Sequence, residues 1–375
     1  MKYSIEIGKI VEGALKRDIV KVSSYVEQLI SKLIDDEDIV AANKFKKLLS
    51  SSALVPLSSK QTEVRSLPVD QESRTPLVDV IYPENNIITT ILTKNNENQI
   101  REFIDNYRCA DKLKQEGLEI CNTLLMYGPP GCGKTNTAYM IAKKLDLPIV
   151  IARLDGLISS YLGTTAKNIR QVFEFVQKFP CVLLLDEFDA IAKARDDSNE
   201  LGELKRVVNS LLQNIDNIDK DCLIIAATNH EQLLDTAIWR RFGYKLKIEM
   251  PDVPAIKHII SLVVKDKISF NEHELTQLAV CFQNKSGAVI EEILNKAMRY
   301  AVLKDENFSK RFIYHQIFLS EGIFDEVDNA QQKKAVFLKS KNINKKYFTY
   351  EDIGEILGLT KGYISSILKG DETNE

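Results

Sequence analysis

Long apolar runs are missing from this chain of 375 residues. No stretch of ~20 apolar residues occurs, so nothing is expected to span a membrane. The opening residues, Met1 to Val20, carry charges throughout, which argues against a signal peptide. A cysteine framework is missing too. The six cysteines, at 109, 121, 132, 181, 222 and 281, form no C-x-x-C pair and no metal spacing. Three lie in or beside apolar strand-like runs. That suits small buried hydrophobes in a reducing compartment, and a cytoplasmic location is expected. Charge of one sign is also lacking. Fifty basic residues against 53 acidic ones leave a formal net charge of −3, which excludes a global bias toward nucleic acid. The length suits two to three domains with a sizeable core.

What is present begins with Gly128-Pro129-Pro130-Gly131-Cys132-Gly133-Lys134-Thr135, the G-x-x-x-x-G-K-[ST] spacing of a phosphate-binding loop. Glycines remove Cβ atoms, so consecutive backbone N–H groups can turn inward onto phosphate oxygens. Lys134 supplies a point charge for the β- and γ-phosphates, and the Thr135 hydroxyl a ligand for Mg²⁺. Thr123 to Tyr127 reads as a strand before the loop and Asn136 to Leu145 as a helix after it. The phosphates of ATP would then sit at a helix N-terminus, where the dipole favours anions. Cys132 occupies a permissive position of the loop, where a thiolate would be favoured.

Cys181 to Leu185 is a continuous apolar run, the pattern of a strand buried on both faces of a parallel sheet. It ends in Asp186-Glu187. Asp186 can hold the Mg²⁺ shell through water, and Glu187 can act as general base on the water that attacks the γ-phosphate. Taken alone, two acids after a strand are as well explained by a solvated loop start. A third strand, Cys222 to Ala227, ends in Thr228-Asn229. Asn229 either lies between the other strand ends or simply starts a turn. Arg240-Arg241 then reads either as a solvated face or as the bidentate partner of a γ-phosphate across a subunit interface.

From about Ile81 to about Leu303 the chain resembles an AAA ATPase module. The resemblance rests on the phosphate loop, Leu183-Leu-Leu-Asp186-Glu187, Ala226-Ala-Thr-Asn229, and Leu234-Asp235-x-Ala237-Ile-x-Arg240-Arg241-Phe242. It implies Asn229 as first sensor and Arg240 and Arg241 as arginine fingers acting on a neighbour's ATP. The adjacent arginines are similar to those of spastin- and katanin-like members. Tyr161-Leu162-Gly163 resembles the pore loop of AAA translocases, where an aromatic face grips polypeptide; the plain alternative is a Tyr packed on its own subunit. A second pore-facing loop would fall near Arg195 to Glu200, a run that also reads as a solvated surface loop. Ser286-Gly287-Ala288 matches a helix start against base and ribose, with Ala288 where many relatives carry an arginine sensor.

The expected fold class is α/β, a P-loop NTPase with a three-layer αβα core, a helical lid, an N-terminal helical appendage and a C-terminal helix-turn-helix. Residues 1–51 show helical stripes, and 52–77, with Ser and Pro clusters, read as a linker. The ATPase core is expected over 78–250, the lid over 251–325 and the tail over 326–375. In the tail, Ile353, Gly354, Leu357, Gly358, Leu359, Ile364 and Ile367 fit the helix-turn-helix pattern. Lys333 to Lys346 holds six lysines and no acid, yet Glu351, Asp352 and Glu355 offset them. DNA contact through 340–370 and use as a packing or protein-contact pair both stay open. The resemblance implies a homo-oligomer, a hexamer, acting on a protein client. The alternatives are an ATP-controlled DNA-binding switch, or a partner of a subtilisin-like protease, as for similar bacterial stand-alone members.

Overall fold

The computed structural model describes residues 3–15, 19–51, 67–70, 74–82, 90–153, 162–190, 201–219, 221–265, 267–324, 329–341 and 347–371. Packing divides the chain into two units. The first holds residues 1–90, 94–128 and 134–248, and the second 91–93, 129–133 and 249–375.

The first unit is built on six strands: β1 (Val78–Ile81), β2 (Thr123–Tyr127), β3 (Ile149–Arg153), β4 (Val182–Asp186), β5 (Leu223–Thr228) and β6 (Tyr244–Lys247). Their order is β1-β3-β4-β5-β2-β6, with β1 antiparallel to β3 and every other pairing parallel. Strands β2, β4 and β5 are apolar on both faces because helices cover both sides, and their interior residues are almost wholly buried. The helices between strands are α4 (Lys94–Arg108), α5 (Ala110–Gln115), α6 (Lys134–Lys144), α7 (Leu162–Val176), α8 (Leu201–Asn217) and the short α9 (Thr236–Trp239). Helix α8 shows why they pack as they do. Val207, Val208, Leu211, Leu212 and Ile215 recur at helical spacing and are all buried, with polar residues between them. The core they join is closed by Phe188 and Phe242, edge to face at 5.7 Å.

Three further helices belong to the same unit: α1 (Ser4–Leu15), α2 (Ile19–Asp35) and α3 (Ile39–Ser51). Leu29, Ile30, Leu33, Ala42 and Leu49 form their own small core. Polar links join them to the sheet layer. Lys9 pairs with Asp219 at 2.5 Å, Ser4 Oγ donates to Asp111 at 3.0 Å, and Gln28 Nε2 donates to the Tyr107 hydroxyl at 3.2 Å. Tyr107 in turn donates to the Asp221 carbonyl at 3.1 Å. Asp219 to Cys222 lead into the amino end of β5, the edge opposite the strand ends that carry the sequence motifs.

The second unit is helical: α10 (Val253–Val263), α11 (Glu272–Cys281), α12 (Gly287–Leu303), α13 (Lys310–Ser320), α14 (Ala330–Ser340), α15 (Tyr350–Leu357) and α16 (Lys361–Asp371). Sequence signals set the ends. The Asp252 side chain accepts from Ala255 N with Pro254 in the first turn, and Asn271–Glu274 and Thr349–Asp352 form capping boxes. Gly358 ends α15 in the left-handed region at φ 68°. Helices α15 and α16 share one core with α10 to α13, through Ile353, Ile364 and Leu368 packed among Ile256, Phe282 and Ile317. Gly354 is there because Leu359 crosses it: a Cβ would stand 2.6 Å from the Leu359 carbonyl oxygen.

Several segments differ from their sequence pattern. The helix after the phosphate loop begins at Lys134, two residues early, and α7 begins at Leu162 rather than Thr165. Part of the Ser- and Pro-rich stretch is tied down: Val69 bridges Pro76, Leu77 N donates to the Pro68 carbonyl at 2.8 Å, and Leu77 is buried. Residues 52–66 and 71–73 of that stretch lie outside the described residues, as do Tyr161, 191–200 and 342–346.

Candidate nucleotide site

The carboxyl ends of β2, β4 and β5 lie side by side, and each carries one of the sequence motifs. In open α/β sheets this edge is where ligands bind. Gly128, directly after β2, has φ 141°, and a Cβ there would stand 2.0 Å from the Ile248 carbonyl oxygen. Only glycine fits so close to a neighbouring backbone. Gly131 and Gly133 also take positive φ, 73° and 92°. Lys134 opens α6 and is buried; its Nζ donates to the Gly128 carbonyl at 2.8 Å, spanning the loop. Within the second unit, Pro129–Gly133 group with the start of α12. Ala288 N donates to the Gly131 carbonyl at 3.0 Å, and a Cβ on Gly131 would press on Ser286 Oγ at 2.7 Å. Cys132, half-buried, has its Sγ 3.6 Å from Met250 Sδ.

Thr135 and Asp186 meet directly. Thr135 Oγ1 donates to Asp186 Oδ2 at 2.9 Å, while Asp186 Oδ1 accepts from Glu187 N at 2.9 Å. Both carboxylate oxygens are thereby oriented. A hydroxyl beside a carboxylate is the hard-oxygen donor set that suits Mg²⁺, so these residues fit that ion. Glu187 is exposed and sits at φ 53°, a left-handed backbone unusual for a residue with a side chain. Its neighbours hold it there: Phe188 N donates to the Ala227 carbonyl at 2.9 Å, and Phe188 is fully buried. Such local strain clusters at functional sites.

Asn229 is exposed at the end of β5 between two anchored residues. Thr228 Oγ1 donates to Asp189 Oδ1 and accepts from His230 N, each at 3.1 Å. Asp189 was not among the residues singled out by sequence. It stands three positions after Asp186 in Asp-Glu-Phe-Asp, and an acid so close behind an apolar strand-like run was the available signal; its side chain is buried.

Arg240 and Arg241 close α9, which the Asp235 side chain caps by accepting from Ile238 N at 2.9 Å. No bond among the described residues joins either arginine to Lys134, Thr135, Asp186 or Glu187 of the same chain. Trp239 packs edge to face on Tyr127, 5.1 Å between ring centres. Thr123 Oγ1 donates to the Arg241 carbonyl at 3.0 Å and accepts from Gly243 N at 3.1 Å. Leu162 and Gly163 form the first turn of α7; Tyr161 lies outside the described residues.

Comparison with known proteins bears on this geometry. Residues 124–250 match the model of the ATPase family associated with various cellular activities (AAA). An uncharacterized AAA family ATPase, y4kL, of Sinorhizobium fredii is 38% identical over 279 residues, covering 74% of this chain and 83% of that protein. A proteasome-activating nucleotidase of Methanococcus maripaludis is 28% identical over 316 residues, 81% of this chain and 75% of its own length. An ATP-dependent zinc metalloprotease FtsH of Lancefieldella parvula is 29% identical over 243 residues, 63% of this chain but 37% of the relative.

Proposed function

Since the chain belongs to the AAA family and is an ATPase, we propose that it works as a ring of like subunits, a hexamer, that remodels, unfolds or disassembles a protein client. The observation that carries the reading is Arg240. It is exposed on an anchored helix end and, among the described residues, forms no side-chain hydrogen bond or ion pair. A guanidinium left unpaired in a chain that carries a complete phosphate-loop motif suits a pocket finished by the next copy. Names of relatives support the choice of client: one is called proteasome-activating and another an ATP-dependent protease. Tyr161, Leu162 and Gly163 are proposed to face the pore and grip polypeptide, and the protein is proposed to act in the cytoplasm. No helix among the described residues is long and apolar enough to cross a membrane.

In this mechanism the loop from Gly128 to Gly133 turns its N–H groups to the phosphates and Lys134 leaves the Gly128 carbonyl for the β- and γ-oxygens. The Thr135 hydroxyl and, through water, Asp186 are the groups that would hold Mg²⁺, whose chemistry when bound is to neutralise phosphate charge. Glu187 takes the proton of the attacking water, and Asn229 orients that water. The arginines of the neighbour stabilise charge on the transferring phosphoryl group. A partnership with a subtilisin-like protease is compatible with the same engine. DNA binding through the tail is the second reading: of its lysines, Lys361 lies 3.4 Å from Glu351 in an exposed pair, and phosphate binding needs several basic contacts.

The test is Glu187→Gln. The variant is expected to bind ATP normally, to turn it over on the order of a thousandfold more slowly, and to retain its client on affinity capture. Normal turnover by the variant, or full turnover by wild-type protein held as a monomer, overturns the reading.

A further inference from the structure

Strands β4 and β5 are neighbours, and their last ladder pair is Leu185 with Ala226. Beyond that pair the chain leaves β4 carrying Glu187 and leaves β5 carrying Asn229. The distance between these two groups decides whether one water can be oriented and deprotonated at once. Glu187 sits in a turn whose carbonyl accepts from Ala190 N at 2.9 Å. A backbone bond, Phe188 N to the Ala227 carbonyl at 2.9 Å, ties that turn to β5. A single tie leaves a hinge. The second tie is made by side chains. Thr228 Oγ1 donates to Asp189 Oδ1 at 3.1 Å, with Asp189 6% and Thr228 1% exposed. A carboxylate only accepts, so the one hydroxyl proton is committed to Asp189. The Thr228 oxygen then offers its lone pairs elsewhere, and His230 N donates to it at 3.1 Å. Asn229 is thereby framed by neighbours that share one oxygen, a local side-chain turn. Burial makes the link costly to lose, because water cannot replace it without opening the fold.

We infer that Asp189 is a positioning residue for hydrolysis: through the Thr228 hydroxyl it sets the spacing between Glu187 and Asn229, and it governs turnover without touching ATP, Mg²⁺ or the attacking water. The inference rests on the roles proposed above for Glu187 and Asn229. One carboxylate holds both loops, the Glu187 turn through its own backbone and the Asn229 turn through Thr228. The phosphate loop follows β2 and takes no part in this chain of bonds. Cutting the chain should therefore slow the chemical step and leave nucleotide binding in place. A misplacement of about 1 Å at a catalytic group costs on the order of a hundredfold in rate.

The experiment measures steady-state ATP turnover of the full chain in D189A, D189N, T228V, T228S and the double D189A/T228V. For each, kcat, KM, affinity for a fluorescent ATP analogue, the half-saturating Mg²⁺ concentration and melting temperature are read. D189A and T228V are expected to lose about tenfold to a hundredfold in kcat, with KM, nucleotide affinity and Mg²⁺ requirement within about twofold of wild type. The double loses no more than either single variant, because both cut the same link. T228S and D189N keep most of the rate: serine still offers its hydroxyl to both partners, and the asparagine oxygen still accepts. A purely structural role would lower the melting temperature without separating kcat from KM. Wild-type kcat in D189A and T228V overturns the inference, as do additive losses in the double. A raised Mg²⁺ requirement in both D189A and D189N also overturns it, since Asp189 would then belong to the ion's own shell. Should D189A not fold, T228V against T228S decides the same question. Normal turnover by E187Q is a different failure, because it removes the base and leaves the Asp189 link untested by that variant but directly readable in T228V.

Discussion

Replacing Asp221 with Asn should stabilise the first unit at alkaline pH and leave it unchanged in acid. Asp221 is 5% exposed at the amino end of β5, under the helices α1 and α2. Burial pushes its carboxyl up to about 6, and the nearby charges of Asp219 and Glu6 push the same way. Lys9 and the Tyr25 hydroxyl pull it down without prevailing. The reason is geometric. Lys9 Nζ is 2.5 Å from Asp219 but 3.8 Å from Asp221 Oδ2, and that oxygen accepts no hydrogen bond. Glu6, itself buried, spends one oxygen on Lys32, and the Tyr107 hydroxyl spends its proton on the Asp221 carbonyl. A rise from 3.8 to about 6 corresponds to about 3 kcal/mol at 1.36 kcal/mol per pH unit. The sign follows from proton counting. Between pH 4 and 6 the folded state binds more protons than the unfolded, so this group's stability is full in acid and is lost as pH rises through 6. Asn never charges and still accepts from Tyr25. Thermal melts of wild type and Asp221→Asn from pH 4 to 8 are the assay. At roughly 2–4 °C per kcal/mol for a unit of this size, the variant should melt roughly 6–12 °C higher at pH 8 and within a degree or two at pH 4. A lower melting temperature at pH 8 would show that the Lys9 attraction outweighs burial and would refute the reasoning.

Two other substitutions probe backbone approach. Gly128→Ala places a methyl group 2.0 Å from the Ile248 carbonyl oxygen at a φ that side chains avoid, so ATP binding by calorimetry should be lost by at least about tenfold, with a destabilisation of about 1–3 kcal/mol; unchanged affinity would remove the tight loop from the site. Gly354→Val sets a branched side chain 2.6 Å from the Leu359 carbonyl oxygen and should cost about 1–3 kcal/mol, read as faster amide exchange in α15 and α16 with the protection of β4 and β5 kept.

The phosphate loop was legible because its chemistry is local: positive φ, a close backbone and a lysine are all demanded within eight residues. The buried strands β2, β4 and β5 announced themselves as apolar runs, and their terminal residues Asp186, Glu187 and Asn229 came with them. Edge elements did not. Strand β6 buries only Leu246 among its four residues, and β1 follows a Pro- and Ser-rich stretch, so neither carries a strong apolar signal. Helix α4 is polar on average and shows its purpose only through Ile100, Phe103, Ile104 and Tyr107 on one face. The docking of α1 and α2 was out of reach because it depends on polar and charged groups more than 75 residues apart in sequence, such as Gln28 with Tyr107 and Lys9 with Asp219. Arg241 and Asp216, 25 residues apart, were hidden for the same reason.

One strand supports both the phosphate loop and the arginine turn. Strand β2 ends in the phosphate loop at Gly128, and it also holds the arginine turn, with Thr123 at its start and Tyr127 at its end. Sliding the turn along β2 would break the two Thr123 bonds, each worth about 1 kcal/mol, and the Tyr127–Trp239 contact, worth about 0.5–1.5 kcal/mol. Together these exceed thermal energy several times over, so the turn follows the strand as a rigid body rather than drifting on it. Lys134, which follows the loop that β2 leads into, and the turn that carries Arg240 are therefore tied to one strand. In the ring proposed above, the aim of Arg240 would then be set by the strand that supports the phosphate loop of its own subunit.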